Sequence, residues 1–290
     1  MSGVDQIDFI GLKDKIALVT GGGGGIGRSI AENFGALGMK VAVLEIAPDR
    51  VEAVRASFDK AGVDALVEIA DATKRDDVER VIGRIAERFG KLDVLVNNVG
   101  DFLKSNSPFG ESTEAQWDAL YAVNLRHMFL VTRAALPLLR KAEGGRSIIN
   151  VSTIEAFRGI PNLVAYGAFK GAVTGFTQSL AVELGPENIR VNAIAPETTN
   201  SNQVRGTKGV PPENKDYLAR WFPIGRFGEP EDSAGAAIYL ASNRLSGWVT
   251  GTTIHVDGGA LAAGAWLQLP DGGWTHIPVI ECDGYTPRKT

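Results

Sequence analysis

The chain is expected to form a single α/β domain around a doubly wound parallel sheet of about seven strands. Three observations predict this. Short apolar runs alternate with longer amphipathic stretches, an order that places helices on both faces of a parallel sheet. No fixed-period repeat or low-complexity linker breaks the alternation. The first apolar run leads straight into a run of glycines, and a helical pattern follows.

Taken in order, runs of strand length occur at Ile16–Thr20, Lys40–Leu44, Ala65–Ile69, Leu92–Val96, Ser147–Val151, Arg190–Ile194 and Thr252–Val256. Between them, amphipathic stretches of helical length cover Gly27–Leu37, Pro48–Ala61, Arg75–Phe89, Thr113–Arg140, Val164–Leu184 and Pro230–Ala241. Asp and Thr lie near several helix starts and Gly follows several ends, which supports these limits. Two segments do not fit the alternation. Residues 198–226, rich in Pro, Asn and Gly, are long enough to be a substrate lid, because structureless stretches of that size inside a compact domain are usually functional. Residues 1–259 are read as one unit carrying this lid, and residues 260–290 as a C-terminal extension.

At 290 residues and 44% hydrophobic content, the chain can bury a large core. Thirty basic residues stand against 34 acidic ones with no basic block, which argues against a nucleic-acid or membrane-surface partner and for a small soluble ligand. Cys282 is the only cysteine, so an internal disulfide and CxxC metal or redox motifs are excluded and a reducing compartment, the cytoplasm, is expected. No apolar run approaches the ~18 residues of a membrane span. His127, His255 and His276 lack zinc-ligand spacing, so no metal is expected.

Strand Ile16–Thr20 runs into Gly21-Gly22-Gly23-Gly24-Gly25-Ile26-Gly27, with a helix beginning near Arg28. Glycines there permit close backbone approach to a pyrophosphate, and the helix start offers unpaired amides at the positive end of its dipole. This is the Rossmann-like dinucleotide arrangement. Glu45 ends the second strand 18 residues beyond Gly27, near the ~20 expected for the acid that holds the adenosine ribose hydroxyls. Its charge would repel a 2′-phosphate by ~1–2 kcal/mol, so NAD is expected rather than NADP.

Tyr166 and Lys170 lie one helical turn apart, so both side chains face the same way. At ~5 Å and an effective dielectric of ~20, the ammonium would favour phenolate by ~3 kcal/mol. That would bring the phenol's pKa from about 10 to about 8, within reach of acid–base catalysis.

Read together, these motifs resemble the short-chain dehydrogenase/reductase family from about Leu12 to Gly259. Thr20-Gly21…Gly25-Ile26-Gly27 matches its TGxxxGxG, Asp71-Ala72 the acid after its third strand, and Asn97-Asn98-Val99-Gly100 its NNAG. Asn124 matches its helix asparagine, Tyr166-x-x-x-Lys170 its active-site signature, and Asp257-Gly258-Gly259 the turn after its last strand. The resemblance implies hydride transfer between an alcohol or ketone and a nicotinamide. Tyr166 would carry the proton, Lys170 would hold the ribose, a strand hydroxyl would bind the substrate oxygen, and Asn124 would support a water that passes protons outward. Asn98, Gly100, Pro196, the Thr199 amide and Ser201 are implied cofactor contacts, and a homotetramer is the implied assembly.

Two departures stand out. The family's serine 13 residues before the tyrosine is Thr153 here, with Ser152 beside it; Thr153 has the same donor and acceptor capacity and is taken as the catalytic hydroxyl. After Asn192-Ala193-Ile194-Ala195-Pro196, Glu197 stands where the family has glycine, which introduces a side chain near the nicotinamide end. Phe102, Glu155, Phe157 and Trp221 are candidate pocket residues, and their mostly apolar character fits a hydrophobic alicyclic, terpenoid or steroid-like alcohol. Glu155 is a candidate partner for a second substrate hydroxyl or an amine. Trp266 and Trp274 suggest that the extension folds against the body or a neighbouring subunit. Two other readings remain open: an NADPH-dependent carbonyl or 3-oxoacyl thioester reductase, and a nicotinamide-binding sensor without catalysis.

Overall fold

The computed structural model describes residues 8–201, 204, 208, 210, 212, 218–264, 266–268 and 273–275. Seven strands form one parallel sheet: β1 (Ile16–Thr20), β2 (Lys40–Glu45), β3 (Ala65–Ile69), β4 (Val94–Asn97), β5 (Arg146–Val151), β6 (Ile189–Pro196) and β7 (Thr253–Val256). Their spatial order is β3-β2-β1-β4-β5-β6-β7. The chain therefore winds outward from β1, then crosses back to lay β4 against the other side of β1. The loops leaving β1 and β4 diverge at that switch point and open a crevice at the carboxyl ends of the strands.

Alternation along the strands sorts the core into two layers. Ala17 and Val19 of β1 join Val41 and Val43 of β2 in packing on Ile30, Phe34, Val54 and Phe58. The intervening Ile16, Leu18, Ala42 and Leu44 meet Val81, Ile85, Val131 and Leu138 on the opposite face. The helices are α1 (Gly25–Ala36), α2 (Pro48–Ala61), α3 (Arg75–Phe89), α4 (Glu114–Tyr121), α5 (His127–Lys141), α6 (Val164–Leu184), α7 (Leu218–Trp221), α8 (Pro230–Ala241), α9 (Asn243–Ser246) and α10 (Ala260–Ala263). Their ends follow local chemistry. Pro48 opens α2 and left-handed Gly62 closes it, while Thr113 and Gln116 form a reciprocal cap at the start of α4.

The stretch Thr113–Arg140, expected as one helix, is divided. A π-helical turn at Ala122–Arg126 separates α4 from α5. Apolar spacing continues through it, so periodicity does not mark the change. Asn124 drives the insertion's chemistry: its Nδ2 donates to the Leu120 carbonyl at 3.0 Å and to the Asp101 carbonyl at 2.7 Å, and its Oδ1 accepts from the Asp101 amide at 3.1 Å. One buried side chain thus bonds its own helix and the loop after β4.

Of the lid segment, Thr198–Ser201 and the part from α7 onward are described, and Thr199 bridges to Gly228; most of 202–217 lies outside the described residues. Beyond Gly259 the chain forms α10 and a short antiparallel pair, β8 (Leu267–Gln268) with β9 (Trp274–Thr275). Ala260 packs with Ile154, Ala195 and Phe222, so the start of the extension joins the body. Residues 276–290 lie outside the described residues. No described helix is long and apolar enough to cross a membrane.

Candidate active site

The glycine loop is bare on the side that faces the crevice. Gly24 precedes α1 without any side-chain cap, and the first turn of α1 carries no acid, so its leading amides are open to an anion. Asn98 pins this loop to β4: its Nδ2 donates to the carbonyls of Thr20 at 3.1 Å and Gly21 at 3.2 Å, and its own amide donates to the Thr20 hydroxyl at 3.0 Å. Gly27 permits that closeness. A β-carbon there would stand 2.3 Å from Asn98 Nδ2 and 2.3 Å from the Gly21 carbonyl oxygen. We predict that Gly27→Ala costs about 1–3 kcal/mol in denaturant unfolding and weakens dinucleotide binding, because loop and helix must move apart. Unchanged values on both counts would show that the contact is slack.

A cleft of about 510 Å³ runs from this loop to the ends of β5 and β6. Gly21, Gly25, Ile26, Glu45, Asn98 and Gly100 line it at the loop side. Thr153, Tyr166, Lys170, Pro196, Thr199 and Ser201 line it further along, together with Phe102 and Glu155. Ser201 reaches back to the loop, since a β-carbon on Gly25 would meet its Cβ at 3.2 Å. Gly100 sits against the lysine and asparagine: a β-carbon there would lie 2.7 Å from Lys170 Nζ and 3.2 Å from Asn124 Oδ1.

Glu45 is almost wholly buried, and its carboxylate accepts from three backbone amides: Gly23 at 3.1 Å, and Ile46 and Ala47 at 3.0 Å each. A formal charge so held is fixed in place. Arg50 Nη1 lies 4.0 Å from it and also lines the cleft. Sequence reading missed this cation. Its signal was the placement of Pro48 at the start of α2, which puts residue 50 in the first helical turn, directly after the strand that carries Glu45.

The two adjacent hydroxyls of the β5 end have separate partners. Ser152 is buried and donates to the Lys170 carbonyl at 3.2 Å. Thr153 donates to the Pro196 carbonyl at 3.2 Å and accepts from the Glu155 amide at 3.4 Å, at the cleft wall. Lys170 is buried, with Nζ 3.3 Å from the Val151 carbonyl and 5.8 Å from the centre of the Tyr166 ring. Burial pulls its pKa down to about 8, with Asp101 opposing.

The tyrosine corrects the expectation drawn from spacing. Its phenol is pushed well above the ordinary value, first by burial and then by the negative charges of Glu155 and Asp101. The chain alone favours the protonated form of Tyr166, through desolvation and the two carboxylates.

Besides Gly27, which packs on Asn98 behind the loop, five further expected site residues are not brought to the cleft lining. The Asp71 carboxylate accepts from the Thr73 amide at 2.8 Å and hydroxyl at 2.7 Å, and Ala72 is buried in the core. Phe157 turns its ring edge-on to His255, with centroids 4.6 Å apart. Trp221 is 63% exposed and stands away from the cleft. Asn124 acts on the loop through Asp101 rather than facing the cleft. Glu155 is held by Arg158, with Nη2 2.7 Å from Oε1 and Nε 3.2 Å from Oε2, so it is not a free acceptor for a substrate amine.

A family model described as Enoyl-(Acyl carrier protein) reductase matches residues 22–260. The chain is 34% identical over 250 residues to the 3-oxoacyl-(acyl-carrier-protein) reductase FabG of Thermotoga maritima, covering 86% of this chain and 98% of that one. It is 35% identical over 257 residues to levodione reductase of Leifsonia aquatica, covering 86% and 95%. Among solved structures, a 7 alpha-hydroxysteroid dehydrogenase complexed with NADH and 7-oxo glycochenodeoxycholic acid superposes with a TM-score of 0.80 at 30% identity, covering 90% of this chain and 98% of that one.

Proposed function

The chain belongs to the short-chain dehydrogenase/reductase family and is an oxidoreductase of CH–OH or carbonyl groups, and from that premise we propose that it interconverts a hydrophobic secondary alcohol and its ketone using NAD. One observation carries the reading: Tyr166, Lys170 and Thr153 line one cleft with an uncapped helix N-terminus and a buried, amide-held Glu45. The residues fit a dinucleotide. The α1 amides and Asn98-braced glycines would take the pyrophosphate, Glu45 the adenosine ribose, and Lys170 and Ser201 the nicotinamide end. When bound, the nicotinamide supplies or accepts the hydride.

The chain's own groups handle the proton. Tyr166, kept neutral by its surroundings, is set to donate to a carbonyl oxygen; in the reverse direction it must first lose its proton, so alcohol oxidation should rise with pH through the neutral range. Thr153 would orient the substrate oxygen, giving up the Pro196 carbonyl as it turns. Asn124 holds the loop that carries Asp101 beside the lysine.

Glu45 supports NAD through repulsion of a 2′-phosphate, and Arg50 opposes it from the same end of the cleft. Because the carboxylate is the more deeply buried of the two, it dominates. A panel of cyclic and acyclic secondary alcohols, watched for reduced cofactor, is expected to show turnover with NAD favoured over NADP by about tenfold, the equivalent of ~1.4 kcal/mol. A preference for NADP would overturn the cofactor assignment. No turnover with any alcohol or ketone would favour the sensor reading.

A further inference from the structure

The strongest unassigned feature is a charged bar at the substrate end of the cleft. Glu155 sits on the short turn Ile154–Ala156 that follows β5, and Glu197 directly follows β6. Arg158 joins them. Besides its paired bonds to Glu155, its Nη2 also bonds Glu197 Oε2. Glu197 is anchored at its other oxygen, where Oε1 accepts from the Thr198 amide and hydroxyl at 2.7 Å each. Both carboxylates are largely shielded, with side-chain exposures of 15% and 9%, so water screens them weakly. Asp101 adds a third carboxylate to the same lining, and its negative charge, like that of Glu155, is felt at Tyr166.

Among the described residues, three carboxylates line this end with one cation, Lys170, and Arg158 joins them through its bonds to Glu155 and Glu197. Arg158 gives Nε and Nη2 to its two acids, so one cation is shared by two carboxylates. Lys170 is buried, with Nζ turned to the Val151 carbonyl. Arg50, the other cation of the lining, stands beside Glu45 at the opposite end. A substrate anion placed a few bonds from the reacting carbon would therefore meet an excess of fixed negative charge, three carboxylates against two cations.

Building on the alcohol–ketone reading above, we propose that Glu155, Arg158 and Glu197 form a specificity bar that admits neutral substrates and rejects those carrying a carboxylate or phosphate near the reacting carbonyl. Glu197 is the decisive member. It stands where the family has glycine, and it engages Arg158 Nη2, so the added carboxylate both repels an incoming anion and competes with it for the guanidinium. One carboxylate about 6 Å from a substrate anion, at an effective dielectric of about 40, corresponds to about a tenfold change in kcat/KM.

The test compares 4-oxocyclohexanecarboxylic acid with its methyl ester, two ketones on the same ring that differ in charge and by one methyl group. The wild-type enzyme should favour the ester by at least about tenfold in kcat/KM, and added salt should narrow that ratio. Glu197→Gln should raise the acid-to-ester ratio about tenfold, whereas Arg158→Met should lower it; circular dichroism establishes that each variant is folded. Equal efficiency with acid and ester in wild type, or a ratio that Glu197→Gln leaves unmoved, overturns the bar while leaving the oxidoreductase reading intact. Absence of turnover with both ketones and with every member of the alcohol panel overturns that reading, and the bar with it.

Discussion

Tyr166→Phe is expected to lower kcat about 10³-fold in both directions, the middle of the range for a general acid–base group, while dinucleotide affinity and stability change little. The separation of effects follows from the hydroxyl's surroundings. No hydrogen bond among the described residues uses it, so its removal orphans no buried partner. The ring keeps its place near Lys170 in the variant. Because burial, Glu155 and Asp101 all hold the phenol's pKa up, wild-type ketone reduction should stay nearly level through neutral pH, whereas alcohol oxidation should climb with it. Single-turnover rates with cofactor titration separate the two quantities. Loss of cofactor binding along with turnover would make Tyr166 a structural residue.

The sheet was legible because each strand is a short apolar run between longer amphipathic stretches, and the β1 loop was legible because little besides a dinucleotide calls for so many glycines between a strand and a helix. The strands that grew, such as β6 extending to Pro196, did so at their ends, where hydrogen-bond pairing rather than composition sets the limit. The π-helical turn at Asn124 was invisible because the apolar period runs through it; what accompanies it is a tertiary bond to Asp101, 23 residues earlier, which helix spacing does not register. Phe157 and Trp221 were placed by proximity to motifs. Direction decides such cases: Phe157 packs on His255 and Trp221 faces outward. Spacing put Lys170 and Tyr166 on one helix face, and Nζ lies 5.8 Å from the ring centre, but spacing could not register that burial and two carboxylates push the same phenol's pKa up. Arg158 shows the same limit. Three residues from Glu155 on an irregular turn, it has no periodic signature, and its second partner, Glu197, comes from the loop after β6.

Lys170→Met should abolish turnover and at the same time make the protein more stable. Lys170 is 3% exposed, and its pKa falls from 10.5 to about 8 chiefly through burial, with Asp101 acting the other way. A base whose folded pKa is depressed destabilises the folded state wherever it must be charged, here below about pH 8. The displacement corresponds to about 3 kcal/mol at pH 7. Methionine keeps most of the stem's volume without the charge, so the gain should approach that figure, reduced by loss of the 3.3 Å bond to the Val151 carbonyl. Between about pH 8 and 10.5 the unfolded chain binds this proton and the folded chain does not, so this group makes wild-type stability rise with pH in that window. The variant should lack that rise, and the two curves should converge at the alkaline end. Urea unfolding of both proteins at neutral and alkaline pH measures the difference directly. A variant less stable at pH 7 would mean that the ammonium's bond to β5 outweighs its desolvation, making Lys170 a brace for the sheet. A stabilised and inactive variant would instead show that the fold holds a buried charge at a cost for the sake of the chemistry beside it.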